Sequence, residues 1–86
     1  MDDDQIQARI EALEDEERAL RHDEQMAAEA GDDDKVAADR NRLAAIKVEL
    51  DQLWDLLRQR RARRDAGLDP DQAEARDPSI VERYRQ

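Results

Sequence analysis

Five arginines close together are the most prominent chemical feature of this sequence. They lie within two helical turns, at Arg58, Arg60, Arg61, Arg63 and Arg64. Such a cluster forms a local positive patch that could bind phosphate or nucleic acid. The patch also falls at the predicted end of a helix, where cations offset the helix dipole, and it faces an acidic N-terminus. Because no aromatic residue lies within it to stack on bases, we favour the structural role and disfavour nucleic acid.

The histidine and the acidic clusters do not match known metal-site spacings. His22 is the only histidine, and Arg18 and Met26, one turn away on either side, are not hard-metal ligands. The Glu-x-x-His pairing of di-iron bundles is missing, because residue 19 is alanine. The acidic runs at residues 2–4, 14–17 and 32–34 lack the central Gly and closing Glu of a calcium loop. We therefore expect no metal and no cofactor.

Catalytic groups are also scarce. Ser79 is the only serine, and threonine and cysteine are absent, so no nucleophile–base pair can be assembled. Paired carboxylates would need a pocket, which two helices do not easily form. We expect a protein that is not an enzyme.

Composition predicts a narrow apolar seam instead of a broad core. The chain has 86 residues, of which 45% are charged and 38% hydrophobic, and Trp54 and Tyr84 are its only aromatics. This balance is typical of long helices or a coiled coil. The net charge of -9 disfavours adsorption on nucleic acid or anionic membranes. The acidic N-terminus is unlike a signal peptide and no apolar run reaches membrane-spanning length, so we expect a cytoplasmic protein without a membrane partner.

Two long helices should position these groups. Apolar residues at helical spacing and flanking Asp and Gly residues predict an all-α fold, with helices at about 3–30 and 35–65 and a turn at 31–34. In the second helix, Val36, Leu43, Leu50 and Leu57 repeat every seven residues. The short turn makes the pair an antiparallel hairpin over residues 1–66. Residues 67–86 form a C-terminal tail, with a short helix at about 78–85 after Asp77-Pro78.

The apolar residues of the two helices predict one register. Ile6 should face Leu57, and Ile10 should face Leu53, as the sequence numbers of facing residues sum to 63. Acidic Glu17 and Glu24 interrupt the seam towards the turn, so we expect looser packing there. Charge agrees with this pairing. Residues 1–34 carry 14 acidic and 3 basic side chains, a net of -11, whereas residues 35–64 carry 9 basic and 4 acidic, a net of +5.

Trp54 and Leu56 flank the heptad seam, and a two-helix hairpin cannot cover both sides of the tryptophan. Either the tail or a second copy of the hairpin should cover it, and buried aromatic residues are typical interface anchors. The candidate interface residues are Trp54, Leu56, Leu57, Ile80, Val81 and Tyr84.

The run Trp54-Asp55-Leu56-Leu57-Arg58-Gln59-Arg60-Arg61 resembles a family of short uncharacterised actinobacterial proteins, a domain of unknown function. The acidic start, the segment 67–74 and the Val81-Glu82-x-Tyr84 ending are similar to the same family. The resemblance implies a bacterial source but no activity, ligand or catalytic residue.

Together these features predict a non-enzymatic helical module for protein–protein interaction or structure. We expect a homodimer that forms a four-helix bundle and presents charged outer faces to an unknown protein. The alternative is a nucleic-acid or phosphate-binding accessory protein that uses the arginine cluster.

Overall fold

The structure is a computed structural model that describes residues 1–83. The first helix, α1, spans Asp3–Glu29. It begins with a capping box, in which the Asp2 side chain accepts from the Gln5 amide at 2.8 Å and the Gln5 side chain accepts from the Asp2 amide at 2.9 Å. The chain turns out of the helix at Gly31, two residues after its last residue. The φ of Gly31 is +71°, a left-handed conformation that glycine adopts without strain. The Asp32 amide then donates back to the Ala27 carbonyl at 2.9 Å, which closes a Schellman motif.

The second helix, α2, spans Asp33–Asp65. Its N-cap is Asp32, whose carboxylate accepts from the Lys35 amide at 3.1 Å. Residues 30–32 are thus the whole connection between the long helices, and so short a link forces them to pack side by side. Gly67, at φ +74°, ends α2 by the same motif as Gly31, with the Leu68 amide donating to the Arg63 carbonyl at 2.8 Å.

The predicted all-α fold with two packed long helices is confirmed. No strand occurs within residues 1–83, and none of the helices in that range is long and apolar enough to cross a membrane. The seam between α1 and α2 holds a single apolar cluster, formed by Ile6, Ile10, Leu13, Ile46, Leu53 and Leu57. The molecule measures only 16 Å in its shortest dimension, and the buried apolar residues outside this cluster in the described chain are Ala27 and Val81.

The seam is more completely buried in the half far from the turn, as the acidic interruptions predict. Ile6 and Leu13 are fully buried there, whereas Leu20, Val36 and Leu43, nearer the turn, remain half-buried. Four of the six buried residues of α2 recur at heptad spacing, at Asp39, Ile46, Leu53 and Arg60, and the other two are Asp55 and Leu57. Two charged residues therefore occupy the ends of the best-buried stripe.

The tail runs back along α2. A 3₁₀ helix, η1, spans Pro70–Gln72, and a short helix, α3, spans Pro78–Arg83. Each begins at the proline of an Asp-Pro pair. The aspartate carboxylate accepts from the amide two residues later, that of Asp71 in one case and of Ser79 in the other. The predicted continuation of the last helix to about residue 85 lies outside the described residues. The tail packs on α2, so it forms a third layer on the outer side of the hairpin.

Candidate interaction surfaces

Ion pairs close one flank of the seam. Arg9 on α1 holds Glu49 on α2 through two hydrogen bonds of 2.7 and 3.1 Å, and Arg42 holds Glu16 in the same way at 2.6 and 2.8 Å. Arg9 and Glu16 are seven residues apart on α1, and Arg42 and Glu49 are seven apart on α2, so all four lie on one flank. The hydrogen bonds from these arginines lower the pKa of both Glu16 and Glu49. This closed flank is therefore covered by charge.

The opposite flank is bridged near the turn by an ion pair, in which Arg40 donates to Glu24 at 2.8 Å, and is otherwise open. Trp54 lies on it with 39% of its surface exposed, although it has the largest side chain of the molecule. Leu50, Leu43 and Leu20 lie along the same seam and are only half-buried. The described part of the tail, up to residue 83, leaves this much of Trp54 uncovered. We call Trp54 with these three leucines the open flank.

The predicted interface residues are distributed over three places. Leu57 is 5% exposed and belongs to the apolar cluster, and Leu56 packs half-buried against that cluster. Val81 is fully buried beneath the tail, whereas Ile80 is 40% exposed. Tyr84 lies outside the described residues. Of the described members of this set, Trp54 and Ile80 offer the most free surface, and their role in an interface stays a prediction.

Four of the five clustered arginines have partners inside the chain. Arg60 is 6% exposed and bonds Asp3 and Asp71, while Arg64 bonds Asp3 at 2.8 Å. Arg63 donates to the Asp69 carbonyl at 2.8 Å. Arg58 lies 3.9 Å from the Asp55 carboxylate. Arg61 alone is exposed without a bond to a described residue. Phosphate binding by this cluster stays a prediction, and these internal bonds count against it.

Arg60 of α2 links its own helix to α1 and to η1 through hydrogen bonds. Its Nε donates to Asp3 at the start of α1 at 2.6 Å, and its Nη1 donates to the Asp71 carboxylate and the Pro70 carbonyl of η1. The hydrogen bonds that Arg60 donates to Asp3 and Asp71 raise the pKa of Arg60, and the bond that Asp3 accepts from Arg60 lowers the pKa of Asp3. This places the acidic N-terminus beside the arginine-rich end, as the charge pattern predicts.

A second arginine pairs with a buried carboxylate on the outer face of α2. Asp55 is 1% exposed and accepts from Arg76 of the tail at 2.7 and 2.9 Å and from Gln59 at 2.9 Å. Burial would raise the pKa of Asp55, but the bonds from Arg76 and Gln59 outweigh it and lower the pKa. A charged side chain is stable here because its partners replace water.

Two glutamines beside Asp55 bind the tail backbone. Gln52 donates to the Arg76 carbonyl at 3.2 Å and Gln59 donates to the Glu74 carbonyl at 2.9 Å. Gln52, Asp55 and Gln59 are spaced three and four residues apart, so they form one stripe on the side of α2 that faces away from the seam. We call these three residues the outer stripe.

Sequence reasoning missed the outer stripe, and it also missed the burial of Asp39. Asp55 stands at an outward heptad position, where solvent is the ordinary expectation. The available signal was the tail, whose first arginine, Arg76, follows an acidic stretch. Asp39 is 3% exposed, and although Lys35 donates to its Oδ1 at 2.7 Å, its Oδ2 has no hydrogen-bond partner in the described part of the chain.

Among residues 1–83, no three or more His, Asp or Glu side chains are grouped to hold a metal ion. His22 is exposed on α1. The expectations of no cofactor and no enzymatic activity stay predictions.

Comparison with known proteins gives one family. A family model described as "Protein of unknown function (DUF2630)" matches residues 2–86. Uncharacterized proteins of Mycobacterium tuberculosis (strains H37Rv and CDC 1551) and of Mycobacterium bovis are each 52% identical over 46 residues, which is 54% of this chain. The match spans 53% of each relative's length. No solved structure matches the chain. The predicted resemblance to short uncharacterised actinobacterial proteins is confirmed.

Proposed function

We propose that this chain, which belongs to the DUF2630 family of proteins of unknown function, is a non-enzymatic helical interaction module that pairs with a second copy of itself. The observation that carries the proposal is the open flank. Trp54 is 39% exposed there beside half-buried leucines, while the other flank is closed by ion pairs. A large apolar ring at the edge of an apolar seam is a typical anchor for a protein interface.

Charge supports a second copy as the partner. Residues 1–34, which include α1, have a net charge of -11, and residues 35–64, which include most of α2, have +5. Most of the positive charge of residues 35–64 belongs to the arginine cluster, which is largely bonded within its own chain, so the cations left for a partner are exposed residues such as Lys47 and Arg61. A two-fold axis can place them beside the acidic α1 of the other copy. The resulting assembly is a four-helix bundle, in which the open flanks of the two copies become a shared core.

The outer faces of this bundle remain strongly charged, and they are the surfaces left for a further protein partner. The net charge of -9 disfavours anionic membranes and nucleic acid. A cytoplasmic location is part of the proposal, and cell fractionation would test it.

Sedimentation equilibrium at micromolar concentrations, in low and high salt, tests the pairing. We expect a dimer for the natural chain. Trp54→Ala should weaken it by roughly 30-fold or more, as removal of an interface anchor costs about 2 kcal/mol or more. Met26→Ala is the matched control, because Met26 is also exposed, at 54%, but does not belong to the open flank. A monomer at all concentrations, or equal weakening by both variants, would contradict the proposal.

A further inference from the structure

The outer stripe of α2 is built like a receptor for an extended peptide. Asp55 provides a buried carboxylate that requires a cation, and Gln52 and Gln59 provide amide donors on either side of it. The tail satisfies all three from the segment before α3. The Arg76 guanidinium bonds Asp55, the Arg76 carbonyl accepts from Gln52, and the Glu74 carbonyl accepts from Gln59.

The tail occupies this stripe mainly through polar contacts. Val81 is the only tail residue that is fully buried among the described residues, and η1 has no buried residue. Hydrogen bonds that replace bonds to water contribute little net free energy, so such a segment can detach while the hairpin stays folded. Detachment of the tail exposes the Asp55 carboxylate to solvent, where an arginine from another chain can bind it.

We propose that the outer stripe is a binding site for an extended arginine-bearing peptide segment of a partner protein, and that the tail is its built-in competitor. The tail reproduces the chemistry that the partner must offer, namely a guanidinium for Asp55 and two backbone carbonyls for Gln52 and Gln59. The inference does not depend on self-pairing, because the outer stripe lies on the face of α2 opposite the seam.

A peptide added in trans to the full chain tests this. The probe is a labelled synthetic peptide of residues 68–83, and its matched control is the same peptide with Arg76→Gln. Binding is followed by fluorescence anisotropy. The receptor is the full chain carrying Arg76→Gln, whose own tail has lost the cation but whose stripe is intact. We expect this chain to bind the natural peptide at least about tenfold more tightly than the control peptide, as a charge-assisted bidentate bond is lost in the latter.

The natural chain should bind the same peptide at least about tenfold more weakly than the Arg76→Gln chain does. Its tethered tail competes at an effective concentration of about millimolar. The chain with Asp55→Asn should not distinguish the two peptides. Equal affinity of the Arg76→Gln chain for both peptides would overturn the proposal.

Amide hydrogen exchange of the natural chain gives an independent test that requires no variant to fold. Amides of residues 74–81 that are protected should exchange faster than the core amides of α1 and α2, by local opening. If they exchange only with global unfolding, the tail does not open and the proposal fails.

Discussion

Asp39 and Arg60 occupy the same heptad position of α2, three heptads apart, and both are buried, at 3% and 6% exposure. Ile46 and Leu53 fill the two positions between them. The two charged residues differ in how well they are satisfied. Arg60 bonds three acceptors from two other segments, whereas one oxygen of Asp39 has no partner among residues 1–83. The buried charge is therefore well hydrogen-bonded at the Arg60 end of the stripe and only partly hydrogen-bonded at the Asp39 end.

Replacing Asp39 should stabilise the chain. Asp39→Leu removes a buried carboxylate with an unsatisfied oxygen, and Lys35, which is half exposed, can return to water. We expect the free energy of unfolding in guanidinium to rise by about 1–2 kcal/mol at fixed protein concentration. Asp39→Asn, which keeps a polar group, is the control and should change it by less than about 1 kcal/mol. A loss on Asp39→Leu would show that the carboxylate stabilises the hairpin.

Arg60 and Arg61 are neighbours in sequence, but truncation should affect the stability of the chain only at Arg60. Arg60→Ala removes bonds to α1 and η1, so it should lower the melting temperature and release the tail near Pro70. Arg61→Ala should leave the melting temperature unchanged, because Arg61 is exposed and bonds no described residue. Thermal unfolding followed by circular dichroism measures both. Equal effects would mean that the cluster acts through its total charge and not through particular contacts.

The same cluster should bind nucleic acid poorly. Its guanidiniums are mostly engaged inside the chain, and the net charge of -9 repels phosphate. Titration of a labelled DNA duplex at low salt should show no binding at micromolar concentrations of the protein. Tight binding that weakens steeply with salt, and that Arg61→Ala reduces, would instead support the phosphate-binding alternative.

The hairpin could be predicted because it depends on local signals. Heptad spacing fixed which residues of α2 face α1, and the Asp and Gly residues at 31–34 marked the turn. The tail's docking could not be predicted in this way. The contact between Asp55 and Arg76 joins residues 21 apart in sequence through side chains that ordinarily face solvent, so no periodic pattern reports it. Charge patterning placed the arginine cluster opposite the acidic N-terminus, but it did not show that Arg60 would be buried.

Acid should destabilise the chain through its arginine-bonded carboxylates. Arg60, Arg42 and Arg9 lower the pKa values of Asp3, Glu16 and Glu49 respectively. A carboxyl whose pKa is lower in the folded state contributes stability above its unfolded pKa and loses it as the pH falls through the folded pKa. We therefore expect stability to be level from about pH 7 to 5 and to fall below about pH 4.

Denaturant titrations across this pH range measure the loss. Glu16→Gln should make the acid-induced decrease smaller, because one shifted carboxyl no longer takes up a proton on unfolding. Glu11→Gln, at an exposed residue of α1 without an ion pair to a described residue, should leave the decrease unchanged. Stability that rises steadily from pH 5 to pH 3 would show that repulsion among the acidic residues outweighs these pairs.

The turn between the long helices depends on the left-handed conformation of Gly31. A Cβ added there meets no atom within 4 Å, so any cost of substitution comes from its φ of +71° and not from crowding. Gly31→Ala should lower the free energy of unfolding by about 1 kcal/mol, because alanine is strained at positive φ. Gly31→Asn should cost less, since asparagine tolerates this conformation. Equal losses in guanidinium unfolding would show that the cost arises from something other than backbone strain.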